Sequence, residues 1–230
     1  MNAEGDRAHL DQYAFIRLYP RYPRCTRIEL NARFTPSRAE GWLQACPDAY
    51  APSLHPMPHI LFPTAFGSCG VAWNDTGLTG FQFPEATEIL TDQHLAAKAR
   101  SLPATDPVPD WVQQVIARVQ QHLEGKVQDF SGTKLDWSRV SDFQEAVYRH
   151  AQEIKPGYKK SYGEIARLMA LGNEAARAVG VALATNPWPL IVPCHRIVSA
   201  SDKMTGFSAP GGVRTKTRLL TLEGAELLSE

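Results

Sequence analysis

The sequence predicts an α+β protein, with a small N-terminal α/β domain followed by a mostly helical C-terminal domain. Three observations carry this prediction. Two apolar runs flank a turn signal within residues 66–83, apolar residues recur at helical spacing from 112 to 123, and helical spacing dominates the second half. We place the N-terminal domain at residues 58–137 and the helical domain at 138–230. Residues 1–57 are treated as an N-terminal extension of unknown role.

The N-terminal half begins its readable structure with a hairpin. The run ending at Val71–Trp73 meets Asn74–Gly77, whose Asn, Asp and Gly residues favour a tight turn, and a second strand follows. A proline-rich linker, Pro103–Pro109, leads into an amphipathic helix that ends at Gly125. Its apolar positions are Val112, Val115, Ile116, Val119 and Leu123.

The C-terminal half begins with a predicted helix over Asp142–Lys155, ended by Pro156 and Gly157. Its buried stripe is predicted to consist of Phe143, Ala146, Val147 and Ile154. Ser161 and Glu164 then have the spacing of a capping box, which predicts a helix start. That helix places Tyr162, Ile165, Ala166 and Met169 on one face, and a turn at Leu171–Asn173 joins it to a second helix over Glu174–Thr185. Two short helices joined by such a turn describe a helix-turn-helix, although αα-hairpins also serve as packing units.

Bulk composition indicates a globular protein outside the membrane. Hydrophobic residues make up 43% of the 230 residues, and no apolar run has the length of a membrane span or of a signal peptide. We therefore expect a cytoplasmic protein, or a nuclear one in a eukaryote. The four cysteines, Cys25, Cys46, Cys69 and Cys194, are far apart, which predicts free thiols in a reducing compartment.

The net charge of zero conceals an asymmetry. Residues 158–220 contain nine Lys or Arg residues and three acidic ones, so the rest of the chain is correspondingly acidic. A basic C-terminal third is typical of a surface that faces phosphates, although charged runs are commonly just solvated faces.

The second helix of the pair is built from small residues around one arginine. The segment Ala175–Gly180 presents Arg177 among Ala, Val and Gly, whereas a helix that reads the major groove needs several long polar side chains. Small residues permit the close approach that the minor groove requires, and Arg177 could then enter the base stack. The alternative is a tight helix–helix contact with Arg177 as a surface charge.

The strongest chemical signal is the pair Cys194 and His195. Residues 187–192 are predicted to form a buried strand that delivers Cys194 at its end. A neighbouring histidine can take the proton of a cysteine thiol and thereby activate it as a nucleophile, provided that a third group orients the imidazole. Alone, a Cys-His dipeptide also suits a core thiol beside a structural histidine.

The segment Pro193–Val198, preceded by Asn186–Pro189, resembles the signature of the methylated-DNA–protein-cysteine methyltransferases (O6-alkylguanine-DNA alkyltransferases). Four further blocks are similar to family blocks and occur in the family order: Ser161–Ala166, Ala175–Gly180, Thr205–Gly212 and Leu219–Gly224. The resemblance is close over residues 143–228, looser over 61–136, and absent before that. It implies a ribonuclease H-like sheet with a helix in the N-terminal domain.

The resemblance also implies roles for particular residues. Cys194 would accept the alkyl group, His195 would be its water-mediated base, and Glu223 would polarise the histidine. Tyr162 would donate to a ring nitrogen of the leaving guanine, and Arg177 would replace the extruded base in the stack. Asn186 would tie the helix pair to the active-site strand. Close contact with DNA would involve Ala175, Ala178 and Gly180, and the substrate pocket would be formed by Pro189, Ile197, Phe207 and Ser208, with Phe207 standing where some members have Tyr.

The function implied is repair of O6-alkylguanine in double-stranded DNA by one irreversible transfer to Cys194, after the base is flipped out. The resemblance implies a monomer without cofactor, and it leaves O4-alkylthymine open as a substrate. Two rivals are a non-catalytic lesion sensor, which usually lacks the cysteine, and a helix-turn-helix regulator. Zinc is not predicted, because Cys25, Cys46 and Cys69 with His55 or His59 fit no ligand spacing.

Overall fold

The N-terminal part of the structure is a four-stranded sheet. The computed structural model describes residues 57–201 and 206–226. Strands β1 (Met57–Thr64), β2 (Gly67–Trp73), β3 (Leu78–Gln82) and β4 (Ser101–Pro103) lie in the order β3-β2-β1-β4. Neighbouring strands β1, β2 and β3 are antiparallel, whereas β4 runs parallel to β1. The predicted hairpin is confirmed, and the Asn74 side chain closes its turn by accepting from the amides of Thr76 and Gly77.

Two helices cover the two faces of this sheet. Helix α1 (Glu88–Ala99) packs Leu95 and Ala99 against Ala72 on one face. Helix α2 (Asp110–Leu123) turns its apolar stripe to the other face, where Val71 points because side chains alternate along a strand. Helix α2 matches the predicted helix, whereas α1 was not predicted. Its buried stripe is only Thr91, Leu95 and Ala99, a weak periodic signal.

The C-terminal part is mainly helical, which confirms the α+β class. Its elements in chain order are α3 (Asp142–Gln152), β5 (Lys160–Ser161), α4 (Tyr162–Leu168), α5 (Ala176–Ala184), β6 (Ile197–Val198) and α6 (Val213–Leu222), with β5 and β6 parallel. The predicted capping box is present: Ser161 Oγ accepts from the Glu164 amide at 3.2 Å, and Glu164 accepts from the Ser161 amide at 2.6 Å. A single 3-10 turn, Asn173–Ala175, occupies the first residues of the predicted second helix.

The predicted strand over residues 187–192 is wrong. This segment is a buried turn in which only Pro189 and Val192 form an isolated bridge, and Leu190 has a φ of 77°. Pro187 and Pro189 lack the amide donors that a strand ladder needs. The Asn186 side chain instead donates to the Val192 carbonyl and accepts from the Trp188 amide, both at 2.9 Å. The apolar side chains of this segment are buried in the core, so their run indicates burial and not a strand.

One predicted core position is also wrong. Phe143 is exposed, and helix α3 buries Val147, Tyr148 and Ala151 instead. The Tyr148 hydroxyl donates to the Ala182 carbonyl at 2.7 Å, which gives a buried phenol its partner. A tyrosine carries a polar hydroxyl, so its position is not an obvious core position in the sequence. The buried face of the helix is therefore rotated away from Phe143 and includes Tyr148.

The two halves meet in one continuous core. The Phe81 amide donates to the Pro187 carbonyl at 2.9 Å, and the Trp188 indole donates to the Leu78 carbonyl at 2.8 Å. Strand β3 therefore holds the turn that precedes Cys194. The boundary at residue 138 stays a prediction, and most of the proposed extension, residues 1–56, lies outside the described residues. Within residues 57–201 and 206–226, no helix combines the length and apolar character needed to span a membrane.

Candidate active site

Cys194 begins a short 3-10 turn, Cys194–Arg196, directly after the buried turn. Its side chain is largely buried, with 7% of the residue exposed, and it borders a cavity of about 300 Å³. The other residues that line this cavity are Tyr162, Gly180, Leu183, Ala184, Gly206, Phe207 and Ser208. The thiol therefore faces a small, half-open cavity, large enough for a ring and a substituent.

His195 and Glu223, which the resemblance linked to Cys194, contact each other. His195 is fully buried, and its Nε2 lies 3.0 Å from Glu223 Oε1. Its Nδ1 is buried and has no hydrogen-bond partner among the described protein atoms. Since Nε2 is engaged with a carboxylate, it carries the proton of the neutral ring, and Nδ1 is left as the basic nitrogen.

Glu223 is held by three basic side chains. Arg196 donates to both carboxylate oxygens, from Nε at 2.9 Å and from a terminal nitrogen at 2.7 Å. His122, from helix α2, places Nε2 3.1 Å from Oε1, within ion-pair distance but outside strict hydrogen-bond geometry. Burial alone would raise the pKa of the Glu223 carboxyl. The contacts from His122, His195 and Arg196 outweigh burial and hold that pKa far below its usual range, so Glu223 is ionised.

Cys194 and His195 are both neutral at rest. Burial raises the pKa of the Cys194 thiol, against smaller lowering effects of Asn186, Lys216 and Lys98. Burial likewise lowers the pKa of His195, and its contact with Glu223 only partly offsets this. The pair is therefore thiol and imidazole, and proton transfer between them must accompany reaction with a substrate.

A buried lysine stands near the thiol. Lys216 of helix α6 is fully buried, and its ammonium donates to the Ile197 carbonyl at 2.6 Å. Burial lowers the pKa of Lys216 to about 8, although the nearby Cys194 acts in the opposite direction. A cation at this place stabilises a thiolate when one forms.

The remaining predicted pocket residues are divided between two spaces. Phe207 and Ser208 line the cavity of Cys194, and the Phe207 ring packs on Phe83 with centroids 6.4 Å apart. Pro189 and Asn186 instead line a neighbouring cleft of about 750 Å³, which Ser208 borders as well. Ile197 is fully buried in β6 and lines neither space.

The predicted DNA-contacting residues lie on helix α5 and just before it. Arg177 and Ala178 are exposed, and Ala175 is half-buried at the end of the 3-10 turn. Gly180 faces inward: a Cβ atom there would lie 3.8 Å from the Tyr162 ring. Gly180 thus belongs to the cavity wall, and the exposed outer face of α5 carries Arg177.

Sequence reasoning missed three residues of this site, His122, Arg196 and Lys216. His122 lies on the apolar stripe of its helix, three residues after Val119, which is a signal for a buried histidine. Arg196 and Lys216 were counted with the basic surface, whereas both are buried against Glu223 and the Ile197 carbonyl. The prediction that these two residues contribute to a basic surface is therefore wrong.

No group of three or more His, Cys, Asp or Glu residues suited to a metal ion occurs in residues 57–201 and 206–226. Cys69 is buried in β2, where its thiol lies 3.6 Å from Thr64 Oγ1, and burial raises its pKa to about 12. Cys25, Cys46 and His55, the other ligands considered for zinc, lie outside the described residues.

Comparison with known proteins identifies the family. The family model "6-O-methylguanine DNA methyltransferase, DNA binding domain" matches residues 142–225. The methylated-DNA–protein-cysteine methyltransferase of Mycobacterium bovis is 39% identical over 117 residues, which cover 51% of this chain and 68% of that relative. This chain belongs to the methylated-DNA–protein-cysteine methyltransferase family. The family member of Methanothermobacter thermautotrophicus is 29% identical over 158 residues, 69% of this chain and 80% of that protein.

Solved structures of methylated-DNA–protein-cysteine methyltransferases share the fold. The Mycobacterium tuberculosis O6-methylguanine methyltransferase is 31% identical, with a TM-score of 0.58 over 76% of this chain and 96% of the other. The structure of Mycobacterium tuberculosis OGT in complex with DNA has a TM-score of 0.59 and 32% identity, over 73% of this chain and 92% of that one. The likeness to these solved structures therefore extends over both the N-terminal sheet and the helical C-terminal part.

Proposed function

We propose that this chain repairs O6-alkylguanine in double-stranded DNA by transferring the alkyl group to Sγ of Cys194. The observation that carries the proposal is the placement of Cys194 on a small cavity beside Tyr162 and Phe207, with His195 and an ionised Glu223 behind it. Membership of the family and the likeness to a relative solved with DNA support the same conclusion.

The chemistry is a displacement at the alkyl carbon. The Cys194 thiol gives its proton to Nδ1 of His195, directly or through a water, and the sulfur attacks the carbon. The new C–S bond forms as the C–O6 bond breaks, and the electron pair of that bond passes to the guanine ring. Guanine is a poor leaving group as an anion, so a proton donated by the Tyr162 hydroxyl to a ring nitrogen lowers the barrier. Glu223 stabilises the imidazolium that results.

The lesion reaches Cys194 only when it leaves the base stack, since the reacting atom is inaccessible in a duplex. We propose that α4 and α5 act as a helix-turn-helix, whose small residues on α5 approach the minor groove. Arg177, exposed on that helix, fills the space left by the flipped base. The backbone around Cys194 and Ser208 then reads the base, with Phe207 as a wall.

The product is a thioether, and its C–S bond does not reverse under these conditions. Each molecule thus acts once and is consumed. We further expect a monomer that requires no cofactor, located where the DNA is, with O4-alkylthymine as a second substrate to be tested beside O6-alkylguanine.

A mass-spectrometric assay tests the proposal. The protein is incubated with a duplex that contains O6-methylguanine, and the intact mass and modified peptide are determined. We expect one methyl group per protein molecule, on Cys194. Cys194→Ala should abolish transfer and keep DNA binding, whereas Cys69→Ser, which alters the other described thiol, should leave transfer intact. Lesion binding without transfer would instead indicate a sensor, and binding only to an undamaged operator would indicate a regulator.

A second assay examines the role of Arg177. We expect Arg177→Ala to slow transfer from a normally paired lesion by about tenfold or more, because unstacking a base costs a few kcal/mol. The loss should shrink when the lesion lies in a single strand or opposite an abasic site, where extrusion is easy. Arg214→Ala, which changes a cation on helix α6, is the control. An equal loss on all substrates would contradict a role in extrusion.

A further inference from the structure

His122 is a second histidine at the active-site carboxylate, and it comes from the other half of the chain. It lies in the last turn of helix α2, is fully buried, and packs its ring on Phe130 with centroids 5.4 Å apart. Its Nε2 lies 3.1 Å from Glu223 Oε1, the same oxygen that the His195 ring and Arg196 contact.

The protonation state of His122 follows from its other nitrogen. The backbone amide of Gln128 donates to Nδ1 at 3.0 Å. A backbone amide can only donate, so Nδ1 carries the lone pair and the proton of the neutral ring sits on Nε2, the nitrogen that lies 3.1 Å from Glu223 Oε1. Protonating Nδ1 would break the bond from Gln128 and add a charge beside Arg196. The bond from Gln128 thereby fixes the tautomer of the His122 ring.

We propose that His122 is a positioning residue that fixes the Glu223 carboxylate and takes up part of its charge, so that His195 remains a free base. This inference rests on the proposed function of Cys194 and His195. A carboxylate attracts the protons of its neighbours less strongly when it accepts additional donors. With Arg196 and His122 both directed at Glu223, the pull of Glu223 on His195 is moderated and Nδ1 keeps its lone pair for the thiol.

The direction of the effect distinguishes this role from simple packing. Among the described residues, Glu223, Arg196 and His122 are the ionisable side chains that act on His195, which Cys194 directly precedes in the chain, and Arg118 lies over the far ring, Phe130, at 5.1 Å. Replacing His122 with an apolar ring leaves more of the charge of Glu223 to His195. The pKa of His195 then rises, and the base is blocked by its own proton up to a higher pH.

The test is the pH profile of alkyl transfer to Cys194 by the full chain. In His122→Phe, the acid limb should move up by about half to one pH unit, roughly the size of one close polar contact to a charged group, and rates above about pH 8 should match the wild type. His122→Gln should restore the wild-type limb, because its amide can accept from Gln128 and donate to Glu223. His59→Phe is the matched control, since it removes another buried histidine from a carboxylate, Asp92, on the opposite side of the sheet.

Imidazole ¹H–¹⁵N spectra of the wild-type protein provide a readout that requires neither transfer nor a variant. The neutral His122 ring should carry its proton on Nε2, as the bond from the Gln128 amide to Nδ1 requires. A neutral His122 ring that carries its proton on Nδ1 would overturn the inference, as would an unshifted acid limb in His122→Phe. Absence of transfer in the wild type would overturn the proposed function instead, and the same spectra would still decide the tautomer of His122.

Discussion

At the scale of single residues, the site depends on a carboxylate that is buried and yet charged. Glu223 lies out of water, and its ionisation is maintained by Arg196 and the two histidines. Arg196 spans both oxygens with a geometry that lysine cannot reproduce. His195, which follows Cys194 in the chain, is thus oriented by the Glu223 carboxylate, whose own position is fixed by Arg196.

Glu223 should make stability depend on pH in a definite direction. Its pKa is depressed in the folded state, so its contribution is fully present above the unfolded value of about 4.3 and is lost as the pH falls below it. Glu223→Gln leaves Arg196 buried without its ionic partner, and we expect a loss of about 3–5 kcal/mol at pH 7. Urea unfolding at several pH values should show this loss shrinking below about pH 4. The exposed Glu174→Gln should change little throughout, and a pH-independent loss in Glu223→Gln would contradict the expectation.

At the scale of elements, the nucleophile is placed by turns and helix ends rather than by a strand. Two parallel pairs of residues join β5 to β6, so the start of helix α4 lies beside the segment that follows Cys194. The capping box of Ser161 and Glu164 fixes that start, and Tyr162 is the first residue of the helix. The cap therefore sets the position of the proposed proton donor.

Two capping boxes allow this to be tested. Ser161→Ala and Ser141→Ala each remove the N-cap side chain of a box, on α4 and α3 respectively. Each should cost about 1 kcal/mol of stability. Only Ser161→Ala should also slow alkyl transfer, by about threefold to tenfold, because only α4 carries Tyr162. Single-turnover kinetics with thermal denaturation of both variants would show this, and equal rates in the two would exclude the link between cap and chemistry.

At the scale of the whole molecule, the basic residues of the C-terminal part fall into two groups, some buried in the core and others exposed on the surface. The chain has no net charge, and its basic excess lies in the C-terminal part. Arg196 and Lys216 are buried and bind Glu223 and the Ile197 carbonyl, respectively. Arg167, by contrast, is exposed on helix α4 and lines a groove together with Lys160. Affinity for DNA should therefore depend on a subset of the basic residues.

Salt dependence separates the two kinds of cation. Arg167→Ala should reduce the slope of log affinity against log salt concentration by about 0.9, the value for one lost phosphate contact. Lys216→Met, a change inside the core, should leave that slope unaltered. Titrations of an undamaged duplex at several salt concentrations measure both. A slope that falls equally in the two variants would show that it does not report surface contacts.

How far the sequence predicts this molecule depends on how local each feature is. The hairpin turn at Asn74–Gly77 and the box at Ser161 were predictable because their partners lie within three residues. The segment at 187–192 was not, since an apolar run only indicates burial, and the course of the chain is set by Asn186 and two prolines. His122 escaped notice because its partner Glu223 is distant in sequence, and no single sequence reveals that contact.

The neutral state of the Cys194 thiol has a consequence for selectivity. Oxidants and ordinary electrophiles in a cell react with thiolates, and a buried thiol with a raised pKa offers them little. If Cys194 is consumed by one transfer, as we propose, a reactive thiolate would be lost to encounters that repair nothing. Under the proposed function, deprotonation waits for a flipped base in the cavity, so that the damage itself would act as the trigger and the protein would remain competent until it meets a lesion.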